Sequence, residues 1–297
     1  ANLRSFRITQ PLQINMENDS LHMRFYSPVG IKEVTVMAKS PTMDEYVEFV
    51  YIDNIPAFAD IKTSIKVLEK GVYRTESGKV QQFSAEEINP ASLSLKISCN
   101  DPYWTKISQI KAKWYIKFVL NGGNPVTGVP NNNWWGIRPV HCREAVALYL
   151  NIGYMCTLER FQQRVLTFQG TLLDNNKNAI DTSKIISRLE NLSGFDIGLV
   201  YSGNGVSGLG GGRTWGVYQK SFLYHYNNRD GCCTTIFHEL GHCLGYNHNS
   251  TMTYGKWASG CADVFYKNNI SDFPVNSHTI LNSRNKSLKV LLYGLFL

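Results

Sequence analysis

His238-Glu239-Leu240-Gly241-His242-Cys243-Leu244-Gly245-Tyr246-Asn247-His248 is the stretch on which the reading of this chain turns. Thr234-Thr235-Ile236-Phe237 leads into it with residues that a helix accepts, so His238 and His242 are predicted to stand four apart on one helix. Side chains at i and i+4 lie one above the other on the same face, and two imidazoles placed that way can converge on one ion. Glu239 is rotated from that face yet borders the site, close enough to hold a water bound to the ion. Gly245 comes three residues after the second histidine. A left-handed glycine there ends the helix and turns the chain sharply. The turn is predicted to return His248 as a third ligand. Three neutral imidazoles leave a fourth position open, which is the pattern of a catalytic zinc and not of a structural one.

With Met252 close behind in Thr251-Met252-Thr253-Tyr254-Gly255, the pattern His238-Glu239-x-x-His242-x-x-Gly245-x-x-His248 resembles the metzincin clan of zinc endopeptidases. The resemblance implies one catalytic zinc held by His238, His242 and His248, Glu239 as general base, and Met252 in a turn beneath the imidazoles. It also implies a peptide or protein substrate lying along an edge strand ahead of the zinc helix, expected at Arg213, Thr214, Trp215 and Gly216. Gly208-Leu209-Gly210-Gly211 is similar to the run preceding that strand in matrixins. Tyr254 repeats the Met-x-Tyr order of astacins and serralysins, whose tyrosine swings to the tetrahedral oxyanion. The other reading of Tyr254 is an aromatic in the wall of a specificity pocket. Four positions separate His248 from Met252 and Asn249 follows the third histidine, so no subfamily is assigned. The clear motif runs from about Gly208 to Gly255; outside it only the order of elements is compatible.

The 297 residues allow one large domain or two ordinary ones, and 43% hydrophobic with 18% charged residues describes a globular chain. No run approaches the roughly 18 consecutive apolar residues of a membrane helix. The apolar residues 291–297 are far too short to span and are expected as a terminal strand or docked tail. A net charge of +7 is spread thinly, which argues against a nucleic-acid partner. Its densest local run, Ile110 to Lys117, alternates like a strand with a lysine face. Seven cysteines cannot all pair within one chain, and adjacent Cys232-Cys233 with helical Cys243 match no small disulfide scaffold. The chain opens at Ala1, consistent with a processed form, and a secreted or cell-surface monomer is expected.

From Leu3 to about Leu120 the chain shows short alternating runs, among them 21–26, 31–36, 61–67 and 93–97, separated by Ser27-Pro28, Gly71 and Asn89-Pro90. Such spacing predicts an antiparallel sandwich of the immunoglobulin-like kind. Asn121-Gly122-Gly123-Asn124-Pro125 through Val129-Pro130-Asn131-Asn132-Asn133 is the linker candidate, placing the boundary near 130, with an earlier one near 105 as the alternative. The predicted domains are thus a sandwich over 1–130 and an α+β metzincin-like domain over 131–297. In the latter, helices are expected at 139–150 and 182–192, and strands at 164–168, 195–201 and 213–218. Gly203-x-Gly205-x-x-Gly208 matches a dinucleotide fingerprint, but a strand follows it where a helix would have to open. The leading function is a zinc endopeptidase. The competing readings are a catalytically inactive adhesin or glycan-binding module and a peptidase directed at glycosylated substrates.

Overall fold

The computed structural model describes residues 5–18, 20–64, 71–83, 90–120, 122–124, 127–226 and 232–276. Two compact units divide the chain, Gln10–Thr105 on one side and Ala1–Thr9 with Lys106–Leu297 on the other. β1 (Ser5–Arg7) belongs to the second of these.

In the unit Gln10–Thr105 the alternating runs become β2 (Leu12–Glu17), β3 (Ser20–Phe25), β4 (Ile31–Lys39), β5 (Val47–Ile55), β6 (Asp60–Ser64), β7 (Gly71–Arg74), β8 (Val80–Phe83) and β9 (Ser94–Cys99). They pair antiparallel in three sheets, ordered β2-β3-β6, β5-β4-β9 and β7-β8. Successive side chains of a strand face opposite ways, so β3 buries Leu21, Met23 and Phe25 and turns His22 and Arg24 outward. β4, the central strand of its sheet, buries Ile31, Val34 and Val36 completely. Each fully buried side chain of this size contributes roughly 1.5–3 kcal/mol. The short helix α1 (Pro102–Ile107) follows β9, and its Tyr103 hydroxyl is bonded to Ser27 Oγ at 2.7 Å.

The second unit is built on a mixed sheet of β1, β10 (Tyr115–Leu120), β12 (Gly194–Val200), β14 (Thr214–Tyr218) and β13 (Gly208–Gly211), in that order. The two-residue β11 (Trp134–Trp135) pairs with the end of β12. β10, β12 and β14 run parallel, as strands joined through helices do, while β1 and β13 run antiparallel to their neighbours. Five helices of this unit are α2 (Pro139–Thr157), α3 (Glu159–Leu166), α4 (Ile185–Glu190), α5 (Gln219–Tyr224) and α6 (Cys232–Cys243); α7 (Val264–Asn269) follows a π-helical segment, Lys256–Asp263. Trp114, Phe195 and Trp215 meet Tyr149 of α2 in one aromatic core, with neighbouring ring centroids 4.7–6.4 Å apart. Trp215 Nε1 also donates to the Ile236 carbonyl at 3.2 Å, tying α6 to the sheet.

Several expectations are corrected here. The division falls after Thr105, at the alternative boundary near 105 and not at 130, because β10 pairs with β12 and Ile8 N donates to Trp114 O, which binds both chain segments into the second unit. The lysine-faced run does alternate in burial, but residues 110–114 join no strand and the ladder begins at Tyr115. Residues 164–166 end the helix α3, not a strand: Phe161 and Val165, four apart, are both buried while Arg160, Gln162 and Gln163 are not. Arg213 to Gly216 do not form the edge strand. Thr214–Tyr218 is flanked by β12 and β13, and the outer position belongs to Gly208–Gly211. Residues 65–67 and 291–297 lie outside the described residues.

Candidate metal centre

α6 carries His238 and His242 one turn apart, and its other positions explain how the helix is seated. Ile236, Phe237 and Leu240 are buried, as is Cys243, whose thiol donates to the Thr214 carbonyl of β14. Gly241 permits a close approach, since a Cβ there would stand 2.5 Å from the Met252 carbonyl oxygen. Gly245, at φ +91°, terminates the helix. Its N–H donates to His242 O at 2.9 Å and that of Tyr246 donates to Gly241 O at 3.2 Å, the paired bonds of a Schellman turn. Arg188 closes the end by donating to Leu244 O at 2.8 Å and to the Tyr246 hydroxyl.

The turn returns His248 to the helix. Among the described residues, His238, His242 and His248 form a group whose candidate ligand atoms all lie within 4.8 Å of one another. His242 Nε2 is 3.2 Å from His238 Nε2 and 3.1 Å from His248 Nε2. The contact between His238 and His242 is not a hydrogen bond between rings. The Nδ1–H of His238 donates to Thr253 O, and that of His242 donates to Tyr246 O at 2.7 Å. Burial lowers the pKa of both imidazoles, which favours the neutral ring. A neutral ring that donates from Nδ1 carries a lone pair on Nε2, so the lone pairs of His238 and His242 face one another across 3.2 Å. A shared cation removes that repulsion. Metal–nitrogen bonds of about 2.0–2.1 Å in a tetrahedral centre would set neighbouring ligands about 3.3–3.4 Å apart. The group therefore fits a metal, and the acceptor of each helical Nδ1–H fixes which nitrogen faces it.

Glu239 is 4% exposed, with Oε1 3.9 Å from His238 Nε2. Burial pushes its carboxyl up to about 7. The edge strand β13 lies over it: a Cβ on Gly210 would stand 2.5 Å from Glu239 O and 2.8 Å from Oε2, and one on Gly208 would collide with Oε1. Met252 is fully buried in the turn after His248, with its N–H on Ser250 Oγ at 3.0 Å. Tyr254 is 53% exposed, and its ring lies beside His238 and His248 with centroids 4.9 and 5.4 Å away.

The structure thus gathers His238, His242, His248, Glu239 and Tyr254, with the Met252 turn against Gly241. It does not gather the four residues expected as the edge strand. Arg213 pairs with Asp196, Trp215 is in the aromatic core, and Gly216 sits under Trp134. Sequence reasoning passed over Gly208 and Gly210 as contacts of Glu239, although their run of glycines was visible. The carbonyls of Thr253 and Tyr246 left no sequence signal, because any residue type supplies one. Six cysteines, among them Cys243 beside His242, are thiols with no disulfide among the described residues. No helix there is long and apolar enough to cross a membrane.

Comparison with protein-family models, curated proteins and solved structures gives no match.

Proposed function

We propose that the chain is a zinc-dependent endopeptidase of the metzincin kind, with Gln10–Thr105 as an immunoglobulin-like accessory sandwich. The observation that carries the reading is the meeting of three Nε2 atoms beside a buried carboxylate and beneath β13, the outer strand of the sheet among the described residues. His238, His242 and His248 would hold the zinc, which would supply Lewis-acid polarisation of a carbonyl and acidification of water. Glu239 accepts the proton of the attacking water and returns it to the leaving amine. Its carboxyl, buried beside the ligand atoms, is placed for that exchange. β13 offers its main chain to an extended peptide, which adds to the sheet as a further strand. Tyr254, exposed beside two of the ligands, is the donor available to the developing oxyanion. The protein is read as a secreted or cell-surface monomer acting on peptides or proteins, glycosylated ones included.

Metal analysis combined with cleavage of a mixed peptide library, by wild type and by Glu239→Ala, tests the proposal. About one zinc in both proteins, with hydrolysis in the wild type alone, is expected. Zinc in both with hydrolysis in neither would favour an inactive binding module. Absence of zinc from both overturns the reading.

A further inference from the structure

The three ligands of the centre are not held alike. His238 and His242 ride on α6 and are oriented by their own Nδ1–H bonds to carbonyl oxygens. His248 lies beyond the helix and is exposed, and among the described residues its Nδ1 has no hydrogen-bond partner. Its direction therefore depends on the backbone from Gly245 to Thr251.

That backbone is gripped from one side by a hairpin loop. Asn175 donates from Nδ2 to Gly245 O at 3.1 Å and accepts from Asn247 N at Oδ1 at 2.8 Å. Lys177 Nζ donates to Asn249 O. Ser250 Oγ donates to Leu173 O at 2.6 Å, Thr251 N to the same carbonyl at 3.2 Å, and Leu173 N to Thr251 Oγ1 at 2.7 Å. Bonds thus fall on both sides of His248 along the chain. The loop is itself fixed: Leu173 bridges Ala179, and Asp174 Oδ1 accepts from the backbone N–H groups of Asn176 and Asn178 at 2.8 and 2.9 Å. At its tip a lysine, not a glycine, holds a left-handed conformation, with φ +68° at Lys177. A glycine would take that backbone without steric cost, whereas only the lysine reaches Asn249.

We infer that the loop from Leu173 to Asn178 is the positioning element for His248, with Asn175 and Lys177 as positioning residues that act through the backbone of the third ligand. The inference rests on the metal reading above. Groups that orient a ligand, though they never touch the ion, are worth about 10–100-fold in metal affinity.

Zinc affinity by competition with a chromophoric chelator, the melting temperature of the zinc-free protein and the visible spectrum of the cobalt-substituted protein form the test. Asn175→Ala is expected to bind zinc about 10–100-fold more weakly. Its cobalt bands should shift, while its zinc-free melting temperature stays close to that of Asn178→Ala, a loop change that removes no bond to residues 245–251. Asn175→Asp keeps the acceptor for Asn247 N and loses the donor to Gly245 O, so an intermediate loss is expected should the alanine variant fail to fold. Lys177→Gly relieves the left-handed backbone and should weaken zinc binding without lowering the zinc-free melting temperature. Wild-type zinc affinity and cobalt bands in Asn175→Asp and Lys177→Gly overturn the inference, provided His248→Ala binds poorly. Wild-type affinity in His248→Ala overturns the metal assignment of that residue instead.

Discussion

Gly210 of the edge strand rests on Glu239 of the ligand-bearing helix so closely that a Cβ at Gly210 would stand 2.5 Å from the Glu239 carbonyl oxygen. Gly208, two residues earlier, meets the same side chain, a Cβ there colliding with Oε1 and standing 2.6 Å from Cγ, and touches none of its backbone that closely. The two glycines therefore separate in their expected effects. Gly210→Ala presses on backbone and should cost about 1–3 kcal/mol of stability. Gly208→Ala can be accommodated if the flexible carboxylate moves aside, so it should melt near wild type and lose peptide hydrolysis. Thermal unfolding and a hydrolysis assay on both variants check this; equal destabilisation by the two would contradict it.

Gly245 has open space where its Cβ would be, so strain there comes from φ +91° alone. Gly245→Ala should cost about 1–2 kcal/mol, whereas Gly245→Asn should cost less, because asparagine visits the left-handed region more readily. Chemical denaturation of the zinc-free variants measures the difference. Indistinguishable midpoints for all three proteins would mean that the turn tolerates another backbone.

His22 carries the clearest pH dependence outside the centre. One ring nitrogen is 2.6 Å from Asp60 Oδ1 and the other 2.8 Å from Glu17 Oε1, with Lys62 and Arg24 completing the charged group. The Asp60 bond, then the Glu17 bond, raises the His22 pKa above 6.5. The His22 bond, then that of Lys62, lowers Glu17 from 4.5 to about 2, and the bond to His22 lowers Asp60. The histidine contribution is fully present below 6.5 and is lost as pH rises through the raised folded value. The carboxylate contributions are present above their ordinary values and are lost as pH falls through the lowered ones. Pairing of β2, β3 and β6 should therefore be strongest between 4.5 and 6.5. The gap in urea midpoint between wild type and His22→Gln should be widest in that window and narrow on the alkaline side; a gap independent of pH would count against this account.

Tyr254→Phe keeps the ring beside His238 and His248 and deletes only the hydroxyl. A donor aimed at the oxyanion acts in the transition state, so kcat should fall about 10²-fold with KM little changed and zinc retained. Steady-state kinetics decide. An unchanged kcat would place Tyr254 in a pocket wall.

The spacing of His238, Glu239, His242, Gly245 and His248 was legible because helix period and glycine backbone freedom are local properties. The long helix at 139 and the strand at 194 were legible for the same reason, through their apolar patterns. What was lost required partners distant in sequence. A strand from Thr214 looks like an edge until Gly208–Gly211 is seen to pair outside it, and residues 164–166 read as strand until Phe161 shows the helical stripe. The boundary near 130 follows the richest turn sequence and the alternative near 105 follows the strand before it; the pairing of β10 with β12, distant in sequence, decides for the latter. The hold of Asn175 on Gly245 spans 70 positions, and no local pattern announces it.

The composition of β13 has a consequence for solubility. An unpaired strand edge invites identical chains to dock on it and begin a growing sheet. Glycine is depleted in strands because it packs poorly and orders at high entropic cost, and glycine occupies positions 208, 210 and 211. Such an edge is a weak template for its own copies and accepts another chain firmly only when further contacts, such as those beside Glu239 and Tyr254, hold that chain in place. Valine or threonine cannot firm the strand at these positions, because Gly208 and Gly210 lie against Glu239 and Gly211 holds φ +139°, so the weak edge is built into the contact that seats β13 on the helix.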